Sequence, residues 1–396
     1  MCRGASRAKR DAGRAADSSR QASGYPTRSA RCDRNRGRCI ARPPNAPRRF
    51  RVCVMTTSRM RAARFYEPGQ ALRIEEIPIP EPRGHEVLVR VRAAGVCHTD
   101  IHIRSGQLPL VPGVELPLTL GHETAGEVAA LGPDVEGVRE GDEVVVWGAR
   151  GCGRCRLCHS GSESLCDQGT WLNGGYAEYA LIPGPRYLAS LGGVDPVQAA
   201  PLADAGLTPL HAIRKALPRL RAGDHVALFG LGGLGHLAVQ ILRALSPSTE
   251  IIAVDIEPSK RALALKLGAR HAVDGLDHPA ERIAEITGGS GAAAVLDFVG
   301  SDDSLRAALP SLGKAGILVI VGMAGGVLPI SAFTLAPEAS LTTSMWGSFP
   351  ELEEVLALAR EGAIRCETSV FDLERLNDVL DQLASGEVLG RAVVVP

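Results

Sequence analysis

Residues 229–240 read FGLGGLGHLAVQ, and this stretch decides how the second half of the chain folds. It follows a short apolar strand, His225–Phe229, and contains a G-x-G-x-x-G loop from Gly230 to Gly235. Apolar residues then recur at helical spacing, and Asp255 ends the next strand 20 residues after the last glycine. A strand, a glycine loop and a helix in this order predict a dinucleotide-binding site. A glycine-rich turn without a ligand is the alternative, since the chain has 45 glycines.

The residues of the loop have separate predicted roles in holding a cofactor. Gly230 permits the tight turn, Gly232 lets backbone N–H groups approach a pyrophosphate, and Gly235 allows the helix to pack closely against the sheet. Gly233 and Leu234 complete the predicted cofactor contacts in the loop. The N-terminus of the helix would face the anion.

Asp255 favours NAD over NADP as the cofactor. A carboxylate accepts hydrogen bonds from the adenosine ribose hydroxyls and repels a 2′-phosphate at the same place. Lys260 is predicted to reach the ribose as well, and together with Arg261 it leaves NADP open.

Alternating strands and helices extend from about residue 205 to 345. Buried strands are predicted at Ile251–Asp255, Ala294–Val299 and Ile317–Val321, and helices at Lys260–Leu267 and Leu305–Leu312. Such βα units predict a doubly wound parallel sheet with helices on both faces.

The first half of the body is β-rich instead, with strands predicted at Val87–Ala94 and Asp142–Trp147. The apolar segment Ala392–Pro396 is expected to form a strand that rejoins this half. We therefore predict an α/β protein with a β-rich domain over residues 59–204 and 346–396 and a cofactor domain over residues 205–345.

Composition excludes several classes of function. No segment approaches 18 consecutive apolar residues, which argues against a membrane protein, and the body beyond residue 50 is mildly acidic, which argues against a nucleic-acid partner. Without a secretory signal, and with cysteines clustered at metal-ligand spacing, the chain is expected to be cytoplasmic.

Residues 1–58 form a basic extension, with 14 Lys and Arg against three acids in the first 50 residues. Few large apolar residues occur there, so we expect it to be disordered. A targeting segment, an arm for nucleic acid or membrane, and translation from a start placed too early all remain open. The last is favoured, because Met55 and Met60 precede what reads as the opening of a folded domain.

Four cysteines, Cys152, Cys155, Cys158 and Cys166, lie within 15 residues of one another. Thiolates at this spacing on a glycine-containing loop predict a closed, tetrahedral structural zinc site. Two disulfides or a redox pair are the alternatives.

From about residue 60 to the end, the chain resembles the zinc-dependent medium-chain alcohol dehydrogenases. The motifs that carry the resemblance are GVCHTDIH (95–102), GHETAGEV (121–128), the cysteine cluster, PLADAGLTPLHA (201–212) and FGLGGLGHLAVQ with IIAVD (251–255). It is most similar to bacterial NAD-dependent secondary-alcohol dehydrogenases in which aspartate is a zinc ligand. This resemblance implies a GroES-like catalytic domain beside the Rossmann domain, and a homodimer or homotetramer.

The resemblance also implies a catalytic zinc held by Cys97, His122 and Asp204, which makes two zinc ions per chain. Glu123 would lie behind these ligands or replace water as a ligand. Further implied roles are a proton relay through Thr99 and His102, cofactor contacts from His98 and Thr208, and a substrate pocket with Trp346. Asp100 would fix the loop or orient His122. Trp147, Trp171, Leu172 and Tyr176 are further pocket candidates.

The expected function is therefore transfer of a hydride from a small-molecule alcohol to NAD, giving a ketone or aldehyde, with secondary alcohols preferred to primary ones. Zinc acidifies an alcohol hydroxyl, and nicotinamide accepts the hydride. A polyol dehydrogenase is one alternative, and the aromatic pocket candidates argue against it. A zinc-free reductase with the same fold is another alternative, and the predicted metal ligands argue against it. The alternative from another functional class is a non-catalytic protein that binds nucleotides or RNA.

Overall fold

The computed structural model describes residues 58–110 and 114–396. The predicted basic extension, apart from Ser58, lies outside these residues. Within the two described ranges, no helix combines the length and the apolar character that a membrane span needs.

The first part of the described chain consists of short strands joined by short helices and loops. Its strands are β1 (Arg59–Phe65), β2 (Arg73–Pro78), β3 (Val87–Gly95), β4 (Leu118–Thr119), β5 (Glu123–Leu131), β6 (Glu143–Val146), β7 (Ala149–Arg150), β8 (Thr170–Trp171), β9 (Tyr179–Ile182) and β10 (Leu188–Ser190). Its α-helices are α1 (His98–Ser105), α2 (Arg156–His159) and α3 (Pro196–Ala199), and its 3-10 helices are Glu163–Leu165, Pro185–Tyr187 and Ala200–Ala203.

The second part alternates strands with helices. It contains α4 (Leu207–Ala216), a 3-10 turn (Leu217–Arg219), β11 (His225–Phe229), α5 (Gly235–Leu245), β12 (Glu250–Asp255), α6 (Pro258–Leu267), β13 (His271–Asp274), α7 (Pro279–Ile286), β14 (Ala292–Asp297), α8 (Asp302–Ala308), β15 (Leu312–Ile320) and β16 (Ser340–Thr343). The chain ends with α9 (Phe349–Arg360), β17 (Thr368–Asp372), a 3-10 turn (Leu373–Arg375), α10 (Leu376–Ala384) and β18 (Arg391–Val395).

Strand β3 lies at the centre of the largest sheet of the first part. β5 pairs with one edge of β3, while β9 and β18 share its other edge. The C-terminal strand β18 runs antiparallel to the end of β3, with Val394 opposite Ala94, so the predicted return of the C-terminus to the first sheet is confirmed. The alternation of buried and exposed residues along Val89–Arg92 agrees with a strand that has one face in the core.

The six strands β11 to β16 form a parallel sheet in the order β13-β12-β11-β14-β15-β16. This is the 3-2-1-4-5-6 order of dinucleotide-binding sheets, with the switch point between β11 and β14. Val226, Ala227 and Leu228 have no solvent exposure, as expected for a strand covered on both faces. The predicted doubly wound sheet is therefore confirmed.

The ends of several elements differ from the sequence predictions. Helix α8 begins at a Ser301 capping box and ends at Ala308, so the helix predicted over Leu305–Leu312 was wrong in its second half. Pro310 follows two residues after the helix end, and Leu312 already begins β15. Strands β13 and β16 were not predicted, because each has four, partly exposed residues and carries weak periodicity. Helix α7 was also not predicted, although Pro279 and Ile283 are buried at helical spacing.

Candidate active site

The end of β3 leads into the first group of site residues. Cys97 caps helix α1, and its backbone N–H donates to the Oδ2 of Asp100 at 3.1 Å, which fixes the turn. Gly95 allows β3 to pass close to Glu123, because a Cβ at that position would lie 1.7 Å from Glu123 Oε2. Local backbone chemistry therefore places a buried thiol beside a buried carboxylate.

His122 and Asp204 reach the same place from separate elements. His122 directly precedes β5, and Asp204 ends the 3-10 helix Ala200–Ala203. Asp204 Oδ2 lies 3.4 Å from Cys97 Sγ and 3.5 Å from His122 Nε2. Tetrahedral zinc at its usual ligand distances separates neighbouring S, N and O donors by about 3.3–3.6 Å. The spacing and the chemistry of these three donors therefore fit one zinc ion.

Asp100 faces the imidazole of His122. The side chains of both residues are buried, and Asp100 Oδ1 faces His122 Nδ1 at 3.6 Å without either atom having a hydrogen-bond partner. Tyr176 donates its hydroxyl to Asp100 Oδ2 at 2.7 Å and thereby holds the carboxylate. With Nδ1 turned toward Asp100, His122 presents Nε2 to Cys97 and Asp204, which is the arrangement that metal-ligating histidines use.

Asp204 is held as a carboxylate. Burial opposes its ionisation, but hydrogen bonding with His122 and the charges of His122 and Arg391 outweigh burial and hold the pKa of Asp204 below its usual range. Thr208 donates its hydroxyl to Asp204 Oδ1 at 2.5 Å, which leaves Oδ2 directed at Cys97 and His122. The predicted cofactor contact of Thr208 stays a prediction.

Arg391 is the site residue that the sequence analysis missed. It begins β18, is 1% exposed, and binds the carboxylate of Glu123 through Nε and Nη2, with Nε 3.0 Å from Oε2. The backbone N–H of Ala205 also donates to Glu123. Glu123 thus lies behind Cys97, His122 and Asp204, although it is close enough to be a fourth donor. Arg391 is the first residue of the apolar strand RAVVV, and this local sequence contains no motif that could have indicated a site residue.

The four cysteines of the predicted structural site also come together. Cys155 Sγ lies 3.5 Å from Cys158 Sγ and 3.8 Å from Cys166 Sγ, and Cys152 Sγ lies 3.9 Å from Cys158 Sγ. Four thiolates around zinc would be about 3.8 Å apart. All four thiols are free, so these cysteines form no disulfides in the structure.

The glycine loop has the backbone that its sequence predicts. Gly230 has φ 84°, and a Cβ on Gly235 would lie 1.9 Å from the Gly230 carbonyl oxygen. A Cβ on Gly232 would meet nothing within 4 Å, so this residue borders open space. Asp255 accepts hydrogen bonds from the N–H groups of Leu231 at 2.7 Å and Glu257 at 2.9 Å, which ties the loop to the end of β12.

The Arg391 side chain lies between the loop and the metal-ligand cluster. A Cβ on Gly233 would lie 2.5 Å from Arg391 Nη1, so the guanidinium lies against the loop. Packed surroundings, and then the charges of Arg391, His102 and Lys260, lower the pKa of His98 to about 4, although its side chain is exposed. The N-terminus of α5, at the end of the glycine loop, suits an anionic pyrophosphate.

Two family descriptions match the chain: the alcohol dehydrogenase GroES-like domain over residues 83–191 and the zinc-binding dehydrogenase over residues 233–361. An NAD-dependent alcohol dehydrogenase of Sulfurisphaera tokodaii is 39% identical over 350 residues, covering 85% of this chain and 100% of that protein. The chain belongs to the zinc-binding alcohol dehydrogenase family. The GroES-like and Rossmann architecture expected from the resemblance is thereby confirmed.

Two further relatives are similar to this alcohol dehydrogenase over most of its length. The crystal structure of the alcohol dehydrogenase from Aeropyrum pernix has a TM-score of 0.80 and 38% identity, covering 85% of this chain and 100% of that one. A D-arabinose 1-dehydrogenase (NADP(+)) of Saccharolobus solfataricus is 37% identical over 340 residues, covering 84% of this chain and 96% of that protein.

Of the two predicted relay residues of this alcohol dehydrogenase, Thr99 contacts the cluster, and His102 contacts Gln107. Thr99 Oγ1 is 3.5 Å from Cys97 Sγ. His102, half-buried on the same helix α1, has Nδ1 2.7 Å from Gln107 Oε1.

The aromatic pocket candidates separate into two groups. Trp346 packs edge-on to His122, with ring centroids 5.8 Å apart, and edge-on to Trp171 at the same distance. Trp346, Tyr176 and Trp147 are all buried, and Trp147 donates to the Gly347 carbonyl at 3.2 Å. Trp346 therefore lies beside His122, and Trp171 packs on Trp346. Tyr176 contacts Asp100 next to the predicted metal ligands, whereas Trp147 serves the core.

Proposed function

We propose that this chain oxidises alcohols reversibly with NAD and holds two zinc ions, one catalytic and one structural. The observation that carries the proposal is the position of Arg391, which contacts both the metal-ligand cluster and the glycine loop. A nicotinamide cofactor lying along that loop would meet a substrate at the cluster.

Cys97, His122 and Asp204 would hold the catalytic zinc, and Glu123 would stay behind them on Arg391. When bound, zinc acidifies the substrate hydroxyl and NAD accepts the hydride. The residues of the chain position the substrate and move the proton. Thr99 would accept the substrate proton at Oγ1 as its own hydroxyl proton leaves, and His102, on the next turn of α1, would release a proton to solvent.

The substrate pocket would be bounded by Trp346 and Trp171. The Trp346 ring lies beside His122, and Trp171 packs on Trp346. Both rings offer apolar surface, with Trp346 Nε1 already donating to the Ala203 carbonyl at 2.9 Å. We infer a preference for secondary over primary alcohols and for apolar over polar ones. A polyol is the second candidate, because one relative is named D-arabinose 1-dehydrogenase (NADP(+)).

The preference for NAD rests on Asp255. The neighbouring Arg261 is occupied, since it donates to the carbonyls of Asp255 and Ile256 and forms an ion pair with Asp274 at 2.9 Å. Lys260 remains as a candidate ribose contact. A 2′-phosphate would therefore meet the Asp255 carboxylate without a free guanidinium to offset it.

Location and assembly follow by inference from the resemblance and the cysteines. The free thiols in the described part of the chain support a reducing cytoplasm. A homodimer or homotetramer remains the proposed assembly, with neither nucleic acid nor membrane as a partner.

The experiment that tests the proposal combines NADH absorbance with metal analysis of the full chain. We expect two zinc ions per chain in the wild type. Cys97→Ser and Asp204→Ala should each lose one zinc and turnover over a panel of primary, secondary, aromatic and polyol substrates. Cys166→Ser should also lose one zinc, but through the closed site, with a lower thermal midpoint.

Cys366→Ala is the matched control, because Cys366 is a buried thiol outside both clusters. It should keep two zinc ions and turnover. Retention of full zinc and activity in Asp204→Ala would exclude Asp204 as a ligand.

A further inference from the structure

Three side chains meet at the amino ends of neighbouring parallel strands, away from the site described above. His225, Glu250 and His271 are the first residues of β11, β12 and β13. Glu250 Oε2 lies 3.6 Å from His225 Nε2 and 3.3 Å from His271 Nε2. From sequence, neither histidine had a metal-like context, because the three residues are brought together only by strand pairing.

We propose that His225, Glu250 and His271 form a third metal site, for a divalent transition metal such as zinc. Two imidazole nitrogens and a carboxylate oxygen on tetrahedral zinc would be separated by about 3.3 Å, which the two measured separations approach. One donor atom from each of the three residues lies within 4.8 Å of the others. Three protein ligands leave a position for water.

The donor set determines which ions it selects. Imidazole suits zinc, copper and nickel, whereas magnesium and calcium require oxygen ligands. All three side chains are half-buried and accessible from solvent, so an ion can enter without movement of the backbone. Strand pairing holds the ligands in place. His225 lies opposite Glu250 on β12, and His271 of β13 lies opposite Ile252, two residues beyond Glu250.

The site would stabilise the cofactor domain without entering the chemistry. The glycine loop leaves the carboxyl end of β11, four residues beyond His225, which is about 13 Å along a strand. An ion bound only by the folded strands raises the thermal midpoint as its concentration exceeds its dissociation constant. Turnover should not change.

The test is a calorimetric titration of the zinc-loaded full-length enzyme with ZnCl₂, NiCl₂ and MgCl₂. We expect saturable binding of one further zinc or nickel ion, no binding of magnesium at this site, and a thermal midpoint that rises and saturates with zinc. His225→Gln, Glu250→Gln and His271→Gln should each weaken this binding by on the order of 100-fold or more, since loss of an outer partner alone costs 10–100-fold.

His278→Gln is the control, because His278 is an exposed histidine with a single acidic partner, Glu281, at 3.4 Å. It should bind the further ion like the wild type. An anomalous difference peak between the three side chains in zinc-soaked crystals would place the ion directly. Absence of a further ion, or equal binding by wild type and His271→Gln, would overturn the proposal.

Discussion

Glu123 and Arg391, 268 positions apart in the sequence, form a buried two-point ion pair directly behind the proposed catalytic zinc ligands. Neither side chain has more than 2% exposure. The Arg391 guanidinium also lies 3.6 Å from Asp204 Oδ2 and against Gly233 of the glycine loop. The first residue of the last strand therefore links the ligand cluster to the cofactor loop.

Arg391→Ala should be strongly destabilising. It leaves the Glu123 carboxylate buried and unpaired, and breaking such a pair costs about 3–5 kcal/mol. Arg391→Met combined with Glu123→Gln should cost less than Arg391→Ala, because no uncompensated charge remains. Thermal midpoints of the zinc-loaded proteins measure this, with the exposed Arg365→Ala as the control. A double variant less stable than Arg391→Ala would contradict the ion-pair explanation.

Alanine substitution at two glycines of the same loop should have different effects, one on stability and the other on cofactor binding. In Gly235→Ala the new methyl group would collide with the Gly230 carbonyl oxygen, so the thermal midpoint should fall without cofactor present. In Gly232→Ala the methyl group would point into open space, so the fold should be retained while the dissociation constant for NADH rises tenfold or more. Fluorescence titration with NADH separates the two effects. Unchanged NADH binding in Gly232→Ala would mean that the cofactor does not lie along this loop.

Asp255→Ser should shift cofactor preference toward NADP. The variant removes charge-assisted hydrogen bonds to the ribose, each worth about 1.5–3 kcal/mol, and the repulsion of a 2′-phosphate. We expect the ratio of kcat/KM for NAD to that for NADP to fall at least tenfold. Asp277→Ser, a nearby exposed control, should leave the ratio unchanged. The same ratio in both variants would mean that the ribose lies elsewhere.

Residues close together in motifs were predictable, and residues brought together by strand pairing were not. Cys97, His122 and Asp204 each occur in a distinctive local sequence. The resemblance could therefore predict all three as zinc ligands from the sequence. Arg391, and the set of His225, Glu250 and His271, have no such local signal. Their proximity depends on the register of β18 on β3 and of β11 to β13.

The same reasoning explains the accuracy of the fold prediction. The strand His225–Phe229 was predicted with its observed bounds, because a fully buried strand is a continuous apolar run between turn residues. Helix α8 was placed too far along the chain, since Leu305, Leu309 and Leu312 keep a helical spacing past the helix end. Apolar spacing alone did not reveal that Leu312 belongs to a strand.

Glu351 should make stability depend on acid pH. It completes the capping box of α9 by accepting from Ser348 at 2.7 Å and also contacts His211 at 2.9 Å. Burial opposes ionisation, but these hydrogen bonds lower the pKa of Glu351 to about 2. A carboxylate with a lowered folded-state pKa stabilises the protein above its unfolded value, about 4.5, and this stabilisation is lost as the pH falls toward 2.

The Glu351→Gln variant should therefore be about 1–3 kcal/mol less stable than the wild type from pH 8 to pH 5, and the difference should shrink below pH 4.5. The difference in thermal midpoint between the two proteins at each pH measures this. Zinc release in acid lowers both midpoints, so taking the difference removes its effect. Glu354→Gln, which removes a more exposed partner of Arg214, is the control and should have little effect at any pH. A difference that persists undiminished at pH 3 would show that Glu351 acts through packing.

Trp346 should control substrate size through its position beside His122. Its backbone is held in the left-handed region, at φ 51°, and its indole is anchored on the Ala203 carbonyl. Trp346→Ala would open space at the metal ligands, so kcat/KM should shift toward bulkier secondary alcohols by roughly tenfold or more, as expected when a pocket changes by several methylene groups. The substrate panel proposed above measures this ratio.

Gly148→Ala tests the same wall without changing the indole itself. A Cβ on Gly148 would lie 2.4 Å from the Trp346 ring, so the methyl group should displace the ring and alter the same substrate ratio. Trp147→Phe is the control, since Trp147 is buried and donates to Gly347; it should lower the thermal midpoint while keeping the ratio. If Trp346→Ala and Gly148→Ala reduced turnover of all substrates equally, Trp346 would position His122 rather than select the substrate.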